Sequence, residues 1–195
     1  MMFTNERGIN IYAKIISLLF YPSFLQAVIA SYLAPQTLQK WMVWLLFLIM
    51  PVVLSLIYLK FSSMSKDHTW VVPKEYRILP LLFALIGTLI FFVYFTYDEP
   101  KYLKIVTLSS IFLTLLALSI TFFWKISLHM IGMGGFTAFC IDYFAFHVFS
   151  IIFVVFFSIQ VAWARMFLKS HDIWQILAGF FLGISCYMGA YFFYY

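Results

Sequence analysis

Charged residues are scarce in this chain. They make up 10% of its 195 residues, and only seven of them are acidic. Soluble domains carry about 25% charged and about 45–50% apolar residues. Here 65% of residues are hydrophobic and 23% aromatic. No compact soluble fold of this length could enclose so much apolar surface, because the buried fraction rises only slowly with size. Cysteine is almost missing as well. Cys140 and Cys186 both lie inside apolar runs, where they read as small buried hydrophobes rather than a disulfide or metal pair. Low-complexity tracts and convincing internal repeats are absent, so a single integral membrane domain over residues 1–195 is the economical organisation. The net charge of +5 suits anionic lipid and is too small to argue for nucleic acid.

What the chain has in abundance is apolar runs. A spanning helix needs about 20 mostly apolar residues, and such runs occupy about 11–33, 41–60, 78–97, 102–124, 128–144, 147–168 and 172–194. They predict an all-α fold: a polytopic membrane helical bundle with six or seven transmembrane segments, the fifth run being marginal in length. The opening "MMFTNERGIN" carries Glu6 and Arg7 and lacks a cleavage site, so it reads as the approach to a retained first span. Short connections make neighbouring helices antiparallel. Two crossings separate Arg77 from Lys125, and two more separate His129 from Arg165. The segments "PKEYRILP", "WKISLHM" and "ARMFLKSH" therefore return to one side of the membrane. Three basic segments at one surface could line a common anion pocket.

Those residues resemble the type-2 phosphatidic acid phosphatase superfamily, the lipid phosphate phosphatases and their haloperoxidase relatives. "ARMFLKSHDIWQ" keeps the Arg-to-His spacing of the family's third motif as Arg165 and His171, and "ISLH" keeps Ser and His of the second as Ser127 and His129. The resemblance covers about residues 74–180. The departures are specific: Ala164 replaces the third-motif Ser, Leu128 and Ile126 replace the second-motif Gly and Pro, and Gln175 stands where the family has Asp. In the first motif Arg77 is followed by Pro80 rather than directly by Pro, with Lys74 as the nearest lysine.

The resemblance implies hydrolysis of a phosphate monoester or pyrophosphate on a membrane lipid, without metal or cofactor. By it, His171 is the nucleophile that forms a phosphohistidine and His129 is the general acid and later the base. Gln175 takes the position of the residue that orients the nucleophile. Arg165, Arg77, Lys125, Ser127 and Lys74 would hold the phosphate. The residue types suit these roles. A guanidinium grips two phosphate oxygens through a planar fork, and imidazole titrates near neutrality.

Plainer readings stand beside these. "DIWQ" is a helix start, with Asp172 as N-cap and Gln175 reaching back to it. Arg165 and Lys169 at a span end also fit snorkelling to headgroups. A degenerate relative that keeps the bundle and binds an anionic headgroup is the alternative function. A transporter fits less well, since no span carries a midplane charge pair. Asp142 and His147 suggest a local turn contact, and "GMGG", residues 132–135, lacks the Lys-Ser/Thr of a phosphate loop. Gly179 and Gly183 in "GFFLG" form a helix-packing face, which suggests a homo-oligomer through those glycines. Nine basic residues fall on the motif-bearing side (Arg7, Lys14, Lys60, Lys66, Lys74, Arg77, Lys125, Arg165, Lys169) against Lys40, Lys101 and Lys104 on the other. The charge rule thus puts the motifs at the cytoplasmic face of an inner or plasma membrane, whereas many bacterial relatives act on the outer side.

Overall fold

A computed structural model describes residues 2–34, 42–43, 45–46, 77–96 and 100–195. Among the described residues there are seven α-helices and no strand. They are α1 (Met2–Leu19), α2 (Pro22–Leu33), α3 (Ile78–Phe95), α4 (Lys101–Phe123), α5 (Leu128–Tyr143), α6 (Val148–Phe167) and α7 (Ile173–Tyr194). The all-α expectation holds. Among the described residues, α4, α6 and α7 are long and apolar enough to cross a membrane by length and composition, and α1 with α2 makes a fourth if the bent pair is one span. The run at 128–144 becomes a helix of 16 residues, about 24 Å at 1.5 Å per residue, shorter than the bilayer core of about 30 Å. The 41–60 run lies almost wholly outside the described residues.

The first apolar run is not one helix. Pro22 occupies the first helical position of α2, and Tyr21 before it is extended at φ −65°, ψ 132°. A residue preceding proline is pushed out of the helical region by the pyrrolidine ring. The two helices meet at 46°. Elsewhere the ends obey local chemistry. Asp172 caps α7 by accepting from the Gln175 backbone N–H at 2.9 Å. After α6 the chain turns through Lys169, whose φ is 51°. The Ser170 and Lys169 N–H groups bond back to the Arg165 and Met166 carbonyls at 3.0 and 2.9 Å, the Schellman pattern.

α5 and α7 pack closest. A methyl group at Gly183 would overlap the Ile131 carbonyl, and one at Gly179 would sit 2.7 Å from the Ser127 carbonyl oxygen. Both glycines are buried, and the face they form is filled by α5 of the same chain rather than left for a second copy. The small-residue pattern marks a close helix contact, and within the chain that contact is with α5. Gly134, within "GMGG", likewise meets the Phe180 carbonyl. Four of the hydroxyls buried along α4 (Thr107, Ser110, Thr114 and Thr121) donate to the carbonyl four residues earlier at 2.7–2.8 Å. A polar side chain is thereby satisfied without leaving an apolar interior. The outer face of α6 exposes Phe149, Ile152, Phe153, Phe156 and Ile159, an apolar stripe of the kind lipid covers.

Side-chain pairs fix the helix directions. Tyr32 meets Tyr143, Tyr102 meets Tyr143, and Lys101 lies over the Tyr195 ring. The end of α2, the start of α4, the end of α5 and the end of α7 therefore share one end of the bundle. At the opposite end the Ser127 N–H donates to the Gln175 carbonyl at 3.3 Å, joining the start of α5 to the start of α7.

Candidate functional site

Arg77, Lys125, Ser127, His129, Arg165, His171 and Gln175 all lie at that second end. Each comes from a chain break between or at the tips of helices. Arg77 precedes α3, Lys125 and Ser127 fill the α4–α5 turn, His129 is in the first turn of α5, and Arg165 is in the last turn of α6. His171 closes the α6–α7 turn and Gln175 is in the first turn of α7. Lys74 lies outside the described residues. Lys169 is in the same turn as His171, but it is exposed at the left-handed position and does not join the inward-facing groups.

Four of these seven residues are buried, and Lys125, His129 and Gln175 are half-buried. Ser127 is 0% exposed, Arg165 7%, His171 8% and Arg77 9%. Arg77 donates from a terminal nitrogen to the Ile126 carbonyl at 3.1 Å, which pins the guanidinium across the α4–α5 turn. Burial lowers its pKa to about 10. Lys125 is lowered by burial, then by Arg77 and by Arg165. Arg165 donates to the Ser17 hydroxyl at 3.4 Å, while its Nε is buried with no acceptor among the described residues. Ser127 occupies the N-cap position of α5 but does not cap it with its side chain. Its buried Oγ likewise has no partner. Orphan N–H groups of the α5 first turn point the same way a helix N-terminus always does, toward a negative charge.

The two histidines are held in opposite tautomers. His171 Nδ1 lies 2.7 Å from Gln175 Oε1. An amide oxygen only accepts, so Nδ1 carries the proton and Nε2 keeps the lone pair. Burial is the main reason that the His171 pKa falls to about 4; the Gln175 bond opposes this, and Arg77, Arg165 and Lys125 add to it. The ring is neutral at pH 7 and nucleophilic at Nε2. His129 Nε2 lies 3.0 Å from the Ser17 carbonyl, so here Nε2 is the donor and Nδ1 the basic nitrogen. His129 is near enough to Arg165, His171 and Arg77 to feel their charge.

The helix-start reading of "DIWQ" and the orienting reading of Gln175 turn out to be compatible. Asp172 caps the Gln175 N–H, but the Gln175 side chain reaches His171 instead of the Asp172 N–H, so the capping box is only half made. Two participants escape a reading confined to residues 74–180. Ser17 touches both His129 and Arg165. Tyr21 meets the His129 ring edge-on with centroids 5.6 Å apart. The visible signal for them was Pro22, which interrupts the first apolar run next to both. Among the described residues no group of three or more His, Cys, Asp or Glu is placed to hold a metal ion.

Chemically, the arrangement offers three cations, two unused buried donors, a neutral imidazole with a free Nε2 and a second imidazole beside it. Such a set of groups is chemically suited to a compact polyanion. No protein-family model, curated protein or solved structure matches the chain.

Proposed function

We propose that this protein is a divergent lipid phosphatase of the type-2 phosphatidic acid phosphatase kind, acting on a phosphate monoester or pyrophosphate of a membrane lipid. In this proposal the bundle crosses an inner or plasma membrane six or seven times, with the site at the cytoplasmic face. One observation carries the reading. Among the described residues, Arg165 Nε and Ser127 Oγ are buried without partners, at the end of the bundle where Arg77, Arg165 and Lys125 all act on His171. Buried donors without acceptors cost about 1–3 kcal/mol each, and an anionic headgroup entering this end would bring acceptors.

The geometry suits the following steps. Arg165, Arg77 and Lys125 hold the phosphoryl oxygens. His171 Nε2 attacks phosphorus, the bond from phosphorus to the lipid oxygen breaks, and the electron pair leaves with that oxygen. His129 takes the proton that a phosphate monoanion carries and passes it to the leaving oxygen, which returns the ring to its neutral form. It then takes a proton from water, which attacks the phosphohistidine, breaks the N–P bond and releases inorganic phosphate.

Gln175 favours a second reading on its own account. Its oxygen fixes the His171 tautomer but carries no charge to stabilise the ring as it becomes cationic. In the serine-protease triad the comparable Asp-to-Asn change costs about 10⁴ in rate. A catalytically degenerate protein that binds an anionic headgroup fits that loss.

Phosphate release from detergent-solubilised protein distinguishes the two. Wild type is expected to exceed His171→Ala on phosphatidate or a polyprenyl pyrophosphate, and Gln175→Asp is expected to exceed wild type. Equal release from wild type and His171→Ala would overturn the hydrolase and leave the headgroup-binding reading.

A further inference from the structure

The helix break at Pro22 has a consequence inside the site. In an unbroken helix the Ser17 carbonyl would accept from the Tyr21 N–H, four residues on. Here the Tyr21 N–H bonds the Leu18 carbonyl at 3.2 Å and the Phe20 N–H bonds the Ile16 carbonyl at 3.1 Å. The Ser17 carbonyl is skipped. It belongs to the orphan acceptors that every helix end must place elsewhere, and it is placed on His129 Nε2, 112 residues away, at 3.0 Å. The same residue's hydroxyl accepts from Arg165 at 3.4 Å. A single residue at the end of α1 therefore touches a histidine of α5 and an arginine of α6.

We infer that Ser17, exposed as an acceptor by Pro22, is a positioning residue of the site: it holds His129 with Nε2 protonated and leaves Nδ1 to exchange protons with the reacting group. The inference rests on the phosphatase reading and adds to it the atom through which His129 works. An acceptor on one ring nitrogen fixes the tautomer and makes the other nitrogen more basic. In the acid step the proton leaves Nδ1 for the lipid oxygen while the Nε2 proton stays on the Ser17 carbonyl. Among the described residues, the charged or titratable groups around the ring are Arg165 on α6, Arg77 before α3, His171 before α7 and Tyr21 before α2, and none of these is a carboxylate. The backbone carbonyl does the work that an acid does elsewhere.

Histidine-selective ¹⁵N NMR tests this, with four histidines in the chain and His129→Gln for assignment. Wild type should show His129 protonated at Nε2 and bare at Nδ1. The opposite pattern overturns the inference, whatever any variant does. Pro22→Ala lets α1 run on, so that the Tyr21 N–H recovers the Ser17 carbonyl. The His129 signals should then become a tautomer mixture, and kcat should fall about 100-fold, within the range of general acid–base catalysis, with KM little changed. Ser17→Ala keeps the carbonyl; it should leave the His129 signals alone and raise KM a few-fold through Arg165. Unchanged His129 signals in folded Pro22→Ala would defeat the positioning role while leaving the phosphatase reading intact. The expected signals with no turnover in any form would do the reverse.

Discussion

The far end of the bundle carries a carboxylate, and the chain answers it. Asp142 accepts from the Tyr187 hydroxyl at 2.7 Å, Tyr102 lies within its field, and Lys101 rests on the Tyr195 ring. Rings of Tyr32, Tyr102 and Phe139 pack around Tyr143. The near end carries Arg77, Lys125 and Arg165, and the charges that act on one another there share one sign. Each end has one buried hydroxyl without a partner among the described residues, Ser31 at the tyrosine end and Ser127 at the other. The near end adds a buried cationic donor, Arg165 Nε, for which the described residues provide no acceptor. The tyrosine end thus satisfies its carboxylate internally, whereas the near end gathers cations; under the proposed function, ligand binding belongs to the cationic end.

The largest expected effect tests that contrast directly. Arg165→Met should weaken binding of inorganic phosphate by two to three orders of magnitude, about 3–4 kcal/mol, as truncating one side of a buried charged contact does. Without phosphate the variant should melt no lower than wild type, since an apolar side chain of similar volume often replaces a buried charge at no cost. Wild type should gain about 2.7 kcal/mol of stability at phosphate concentrations 100 times its Kd, and the variant should gain almost none. Thermal melts in detergent with and without phosphate read both effects. A phosphate response that survives in Arg165→Met would remove the distinction between the two ends.

The near end also predicts a pH response. The folded His171 titrates at about 4 and an unfolded histidine at about 6.5. Above 6.5 both states are neutral and the group's effect on stability is nil. As pH falls from 6.5 toward 4 the unfolded state takes up the proton first, so stability declines, by about 3 kcal/mol in all, and levels off below 4. His171→Gln should flatten that part of the stability–pH curve. Bound phosphate should reverse the local field and raise the His171 pKa, which side-chain NMR would follow. A His171 titration unmoved by phosphate would place the anion elsewhere.

At the tyrosine end the matching change is smaller and of another kind. Tyr187→Phe removes one hydrogen bond and leaves Asp142 short of a donor, at about 1–2 kcal/mol. Phosphate affinity should stay within about twofold, because the contact lies at the opposite end of α7. A large loss of affinity would mean that the two ends are coupled through α7.

How much of this was legible in the sequence varies by residue. Apolar runs of helical length marked all the helices that are now described, because hydropathy needs no partner to be read. Counting crossings also grouped Arg77, Lys125, His129, Arg165 and His171, since short connections leave few other topologies. The break at Pro22 was visible as a residue but disappears when hydropathy is averaged over a window, and with it went Ser17 and Tyr21. Gly179 and Gly183 advertised a close helix contact without naming α5 as its partner. Asp142 was near His147 in sequence but bonds Tyr187, 45 residues away. The buried rings packed beside it made that choice, and no local pattern encodes it.

Lys169 supplies the smallest effect and the sharpest control. It belongs to the basic cluster by sequence, yet it stands exposed at φ 51°, the position after α6 that glycine usually fills. A lysine there is strained by its Cβ, and glycine is not. Lys169→Gly should therefore stabilise the protein slightly, by about 0.5–1 kcal/mol, and leave phosphate affinity unchanged, although it removes a full positive charge from the same turn as His171. Lys125→Gln, which removes the same charge from the inward-facing group, should cost affinity instead. If both lysine variants weakened phosphate binding equally at physiological salt, diffuse surface charge would explain the binding, and a specific site at Arg165, Ser127 and His171 would not be needed.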